Sequence, residues 1–208
     1  MGIYGQHIFP RVMDWILGAR RFQEQRMLAL APVRGSVLEI GFGTGLNLPH
    51  YPAAVTELTA VDSETLLPAA VARRAAELSF VVKLHRHSAE GLPFEEGQFD
   101  SVVSTWTLCT INDAVAALRE ARRVLKPDGQ FIFLEHGRSE DSRVAQWQDR
   151  LNPLQRLFAC GCNLNRRIDS MIGEAGLKIT HLERFIMPGV PRITGEMYQG
   201  VATHSNRA

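Results

Sequence analysis

The chain has 208 residues, 45% of them hydrophobic and 22% charged, with 23 Lys and Arg against 22 Asp and Glu for a net charge of +1. That length suits one domain, or one domain with a cover, and the composition supports a full core. The balanced charge excludes a strongly basic nucleic-acid binder. Three cysteines make no disulfide framework, so a reducing, cytoplasmic setting is expected. There is no apolar run of 18 residues for a membrane span, and Met1–Gln6 shows no secretory or myristoylation pattern.

Residues 8–30 read as one or two helices. Ile8, Val12, Trp15, Ile16 and Ala19 share a face at helical spacing, Pro10 suits a first turn, and Gly18 can interrupt. Arg11, Arg20, Arg21 and Arg26 lie among these apolar residues and are expected to snorkel. Residues 1–35 are therefore assigned as a helical lid, with 36–208 as the main domain. A helix resting peripherally on a membrane surface is the other use of such a segment.

From Ser36 the pattern changes. Ser36–Ile40, Thr56–Val61, Phe80–Leu84, Phe99–Ser104 and Gln130–Leu134 are short apolar runs that read as buried parallel strands. Helices are predicted over Thr65–Glu77 and Asp113–Leu125, the second stopped by Lys126-Pro127-Asp128-Gly129. Residues 144–175 read as mainly helical, broken at Pro153 and around Cys160-Gly161-Cys162. Leu177–Phe185 and Gly195–Thr203 close the chain as strands. Alternating strands and helices predict an α/β layered sheet with right-handed crossovers.

The chemistry begins at Glu39-Ile40-Gly41-Phe42-Gly43-Thr44-Gly45, directly after the first strand. Glycine is required where a chain turns sharply or its backbone touches a ligand. Asp62 closes the second strand 21 residues after Gly41 and can accept from ribose hydroxyls. Two features depart from a dinucleotide site. The spacing is Gly-x-Gly-x-Gly, and Glu39 would repel a pyrophosphate. A carboxylate there suits a ligand carrying an ammonium and a sulfonium. S-adenosylmethionine has both.

These residues resemble the class I S-adenosylmethionine-dependent methyltransferases, over roughly residues 36–140. Glu39–Gly45 resembles the family's first motif and Asp62 its ribose-binding acid. Ser88-Ala89-Glu90-Gly91-Leu92-Pro93-Phe94 resembles the segment that borders the adenine, with Ser88 where the family usually has Asp. Phe99-Asp100 and Arg123–Gly129 continue the likeness. The resemblance implies a Rossmann-like sheet of about seven strands, mostly parallel with an antiparallel C-terminal strand. It also implies a cofactor site of Glu39, Gly41, Phe42, Gly43, Gly45, Asn47, Asp62, Ser63, Ser88, Ala89, Glu90 and Thr105.

Leu108-Cys109, and the stretch from Phe133–His136 through Trp147 and Asn152-Pro153 to Gly161–Arg166, are similar to the small alkyl-thiol methyltransferases. That likeness implies a small lipophilic acceptor, with a thiol first. His136 is the candidate base at a strand end. Trp106, Cys109, Trp147, Cys162 and Arg166 are the candidate substrate pocket. No metal is expected, because Cys160-Gly161-Cys162 lacks ligand spacing and a nearby His pair. Methylation of a quinone precursor or a phospholipid head group stays open as an alternative. So does a non-catalytic cofactor-binding module.

Overall fold

The computed structural model describes residues 8–64 and 67–205. Two helices, Phe9–Leu17 (α1) and Arg20–Leu30 (α2), precede the first strand. Seven strands follow: Gly35–Ile40 (β1), Val55–Asp62 (β2), Val81–Arg86 (β3), Phe99–Thr105 (β4), Leu125–His136 (β5), Leu177–Ile186 (β6) and Glu196–His204 (β7). They form one sheet in the order β3-β2-β1-β4-β5-β7-β6. Strands β1 to β5 pair in parallel, and β7 runs antiparallel to both β5 and β6.

Alternating side chains divide the core between the two faces of the sheet. Leu38, Val102, Phe131 and Phe133 pack on one face, with the helices Ala114–Val124 (α4) and Ile168–Glu174 (α6). Val37, Leu58, Val103 and Ile132 pack on the other, with Leu30 of α2 and Val71 of the helix Pro68–Ala75 (α3). Burial on both faces explains the apolar runs of β1, β2, β4 and β5; β3, expected to be buried, is mostly exposed because it forms the edge of the sheet. Helix α4 shows how the sequence sets its own ends. Ala114, Ala117, Leu118, Ala121 and Val124 face the core at helical spacing, and Asp113 caps the helix by accepting from the Ala116 N–H at 2.9 Å. Strand order reverses between β1 and β4. The crevice beyond their carboxyl ends is where such sheets hold ligands.

Several expectations differ from the structure in detail. Helix α3 begins only at Pro68, and positions 65–66 of the expected Thr65–Glu77 helix lie outside the described residues. Lys126–Gly129 does not separate α4 from its strand. Strand β5 already begins at Leu125, which pairs with Phe99, and its register then shifts to Gln130 opposite Ser101. Pro153 does not break the helix Ser142–Phe158 (α5). Proline removes one backbone bond, and the turn before it is anchored from outside the helix. Arg138 grips Asp149 through both terminal nitrogens, and the Asn152 Oδ1 accepts from the Leu164 N–H at 2.8 Å. A short helix, Arg192–Gly195 (α7), lies before β7, where no helical periodicity announces it.

The lid assignment also changes in part. Its first seven residues lie outside the described ones. Helix α2 is part of the core: Phe22, Ala29 and Leu30 are buried, and Phe22 and Ala29 pack with Leu134, Met187 and Met197. Arg26 does not snorkel; it is buried, 3% exposed. Helix α1 is less buried, with Pro10 its one buried residue. Its expected inner face is divided, with Ile16 and Ala19 against the core, and Val12 and Trp15 facing solvent.

Candidate active site

The glycine loop leaves β1 and turns over the end of the sheet. Gly41, Gly43 and Gly45 all have positive φ, at 72°, 57° and 77°. At Gly41 a side chain is impossible, because a Cβ would lie 2.0 Å from Thr107 Cγ2. A Cβ on Gly43 would meet nothing within 4 Å and would project into open space. The loop therefore packs tightly at one glycine and leaves room at the next.

Two clefts flank this loop. The first, about 130 Å³, is lined by Pro10, Met13, Leu17, Glu39, Asn47 and Trp106, among others, so α1 forms one of its walls. The second, about 270 Å³, is lined by Asp62, Glu64, Pro68, Val71, His85 and Arg86 among others. Phe42 and Gly43 line both, so the clefts form one divided trough.

Glu39 lies at the base of the first cleft and is 2% exposed. Its Oε1 accepts from Asn47 Nδ2 at 2.8 Å and its Oε2 from the Tyr51 hydroxyl at 2.7 Å. Burial pushes this carboxyl up to about 7, even though Tyr51, Asn47 and Arg26 all favour the charged form. Asn47 also donates to Thr105 Oγ1 at 3.0 Å and accepts from Arg26 Nε at 3.0 Å. Burial lowers Arg26 to about 10. The Arg26 guanidinium lies 4.5 Å from the Trp106 ring centroid, close enough for cation–π attraction. Trp106 holds a left-handed backbone, φ 49°, which places its ring beside the cleft.

In the second cleft, the Asp62 Oδ2 accepts from the Gly43 N–H at 2.8 Å and the Oδ1 from the Glu64 N–H at 3.0 Å. Burial raises the Asp62 pKa against these donors. The Ser63 N–H also favours the charged form, and the roughly four lone-pair sites of a carboxylate leave room for a ligand beside these donors. Ser63 follows directly, and its carbonyl accepts from Arg86 Nε at 3.1 Å.

The expected site residues thus fall into three groups. Glu39, Gly41, Phe42, Gly43, Asn47, Asp62, Thr105 and Trp106 line the trough. Gly45 turns the loop behind it, its N–H donating to the Phe42 carbonyl at 3.0 Å. Ser88, Ala89 and Glu90 line neither cleft; Glu90 instead accepts from the Asp113 N–H at 2.8 Å.

Cys109, His136, Cys162 and Arg166 gather behind Trp106. The Cys162 Sγ lies 3.1 Å from His136 Nε2, and His136 Nδ1 is buried with no hydrogen-bond partner among the described residues. Burial pulls His136 down, but Cys162 and Glu135 outweigh it and its pKa is raised. Trp147 stands apart, 52% exposed on α5 with Arg150 over its ring.

Sequence reasoning missed Tyr51, Asp14, Thr44, Arg74 and the buried role of Arg26. An arginine inside an apolar helix was the one available signal. The others depend on contacts between distant segments.

A family model described as a methyltransferase domain matches residues 38–133. A human thiol S-methyltransferase is 33% identical over 158 residues, 71% of this chain, and the chain spans 63% of that relative's length. A demethylmenaquinone methyltransferase of Renibacterium salmoninarum is 30% identical over 117 residues, covering 56% of this chain and 48% of the relative. Among solved structures, a Burkholderia thailandensis 1,6-didemethyltoxoflavin-N1-methyltransferase with bound S-adenosylhomocysteine superposes with a TM-score of 0.70 at 14% identity, over 95% of this chain and 84% of that one. That likeness is one of fold. With the sheet order, the glycine loop and Glu39 already in place, the chain carries a methyltransferase domain over residues 38–133 and resembles the class I S-adenosylmethionine-dependent methyltransferases, the thiol methyltransferases among them.

Proposed function

We propose that the protein transfers a methyl group from S-adenosylmethionine to a small lipophilic thiol. The observation that carries this reading is the divided trough, with one carboxylate in each cleft: the buried Glu39 in one and the half-buried Asp62 in the other. This suits a ligand with a cationic amino-acid end and a ribose end. The open space beside Gly43 fits close passage of the chain joining them.

The bound cofactor supplies a methyl carbon already activated by its sulfonium. Glu39 is placed to hold the cationic end, and the Asp62 lone pairs are placed for ribose hydroxyls. The chain's further tasks are to align the nucleophile and exclude water. Pro10, Met13, Leu17 and the Trp106 ring give the first cleft a mainly apolar wall, which selects lipophilic acceptors. A thiol, with an ordinary pKa of about 8.5, needs little help to ionise. A phenol near 10 would demand a base. His136 is engaged by Cys162 and does not line the cleft, an arrangement that suits the less demanding acceptor. The thiol methyltransferase likeness supports the same choice.

The demethylmenaquinone methyltransferase likeness supports a quinone-precursor acceptor as the second reading. Initial rates of S-adenosylhomocysteine release across alkyl thiols, aryl thiols, phenols and quinols separate the two. The proposal expects the highest kcat/KM for a thiol. A quinol ranked first would replace it.

A further inference from the structure

The sequence places Cys109 and Cys162 on segments 53 residues apart, and the fold brings them together with His136. One donor atom from each of the three lies within 4.8 Å of the other two, and Cys162 Sγ is 3.1 Å from His136 Nε2. Donors on a tetrahedral zinc, at about 2.3 Å for sulfur and 2.0–2.1 Å for nitrogen, lie roughly 3.5–3.8 Å apart. The cluster is already near that size. We infer that Cys109, His136 and Cys162 form a zinc(II) site, with a solvent molecule in the fourth position.

Two features besides proximity point to it. Each ligand is delivered by a built element. His136 ends β5, Cys109 follows β4, and Cys162 is turned inward by the left-handed pair Cys160 and Gly161, at φ 49° and 93°. The two cysteine segments are also tied together independently of any ion. Asn163 donates to the Cys109 carbonyl from its backbone N–H at 2.8 Å and from Nδ2 at 2.9 Å. Arg166 donates to the Leu108 and Ile111 carbonyls and so pins the segment that carries Cys109. The His136 imidazole is 8% exposed, and the nitrogen it turns to Cys162 is Nε2. Two thiolates and one neutral imidazole would leave a bound zinc with no net charge, which suits so buried a position.

The absence of a metal expected from sequence rested on the Cys160–Cys162 spacing. The structure leaves Cys160 out of the cluster and supplies Cys109 instead. The site is independent of the methyl-transfer reading, because its occupancy is measured without turnover.

The test uses the full chain, reduced and freed of metal with a chelator. Zinc is titrated against a chromophoric chelator, and cobalt(II) is added as a spectroscopic probe. One equivalent of zinc per chain is expected, with a sulfur-to-cobalt charge-transfer band in the near ultraviolet. Cys162→Ser and His136→Ala should each weaken zinc binding beyond the roughly 10–100-fold typical of losing an outer-shell partner. Cys160→Ser should bind as wild type. Cys109 is buried, so Cys109→Ser is read only if its circular dichroism is native; the other two variants carry the test otherwise. Failure of reduced wild-type protein to retain zinc at micromolar free ion would overturn the site. So would equal loss in the Cys160→Ser control.

Discussion

Asp14 on α1 accepts a hydrogen bond from each terminal nitrogen of Arg74 on α3, at 3.0 and 3.1 Å. Thr44 of the glycine loop donates to the same carboxylate at 2.5 Å, and the Thr44 carbonyl accepts from Arg74 at 2.5 Å. Helix α1, the glycine loop and α3 are thus joined at one carboxylate, beside the first cleft. Burial works against the Asp14 charge, but Arg74 and Thr44 keep its pKa below the ordinary value. Asp14→Ala should therefore loosen α1 without unfolding the domain. The expected signs are faster limited proteolysis within 9–17 and cofactor binding weakened by about 1 kcal/mol, since the pair is partly exposed. Unchanged proteolysis would show that α1 is held by its apolar contacts alone.

Glu39 gives the site a pH signature. Burial raises its pKa to about 7, so the free protein keeps this proton far above the ordinary carboxylate range. An ammonium partner favours the carboxylate. Cofactor affinity should rise as pH increases through about 7, and binding near pH 6.5 should release protons. In the cofactor-free protein the folded state keeps a proton that the unfolded chain loses near its ordinary 4.5. Stability from this group is present below that value and is lost as pH rises through about 7. Calorimetry in two buffers of different ionisation enthalpy measures the proton count. Glu39→Gln should flatten the pH dependence of affinity, and a slope equal to wild type would assign it to another group.

Gly41 and Gly43 should fail in different ways. Alanine at Gly41 meets Thr107 and should destabilise the fold outright. Gly43→Ala carries only the left-handed backbone cost of about 1–2 kcal/mol. Its methyl points into the trough, so the folded protein should bind cofactor at least tenfold more weakly. Thermal melts and calorimetry on both variants distinguish these outcomes. Normal cofactor affinity in Gly43→Ala would remove that glycine from the ligand's path.

Asp62→Ala should weaken S-adenosylhomocysteine binding by about 1.5–3 kcal/mol, the range for hydrogen bonds to a charged group. The loop N–H of Gly43 also loses its acceptor, so Asp62→Asn, which keeps an acceptor oxygen, is the companion variant. Wild-type affinity in both would place the ribose elsewhere.

Much of this was legible in sequence because it depends on local chemistry. Val37, Leu38 and Ile40 must be buried on both faces, and the chain can leave that strand over Thr107 only through a glycine at position 41. Asp62 follows from its place at the end of the adjacent strand. What was not legible depends on long-range placement. Arg26 looks like a surface arginine until Asn47 and the Leu17 carbonyl receive it. Pro153 looks like a helix stop until Asp149 and Asn152 are seen to be anchored from outside the helix. Ser88–Glu90 matches an adenine-bordering motif, yet the structure turns Glu90 to cap the chain at Asp113. No spacing rule joins Cys109 to Cys162.

The most direct measurement of the central claim follows the methyl group itself. The protein is incubated with trideuteromethyl-labelled S-adenosylmethionine and an alkyl thiol, and the products are read by mass spectrometry. The account requires a labelled methyl thioether, formed in step with S-adenosylhomocysteine and reduced in Glu39→Gln. No labelled thioether across alkyl and aryl thiols, together with labelled product from a quinol or from phosphatidylethanolamine, would contradict it.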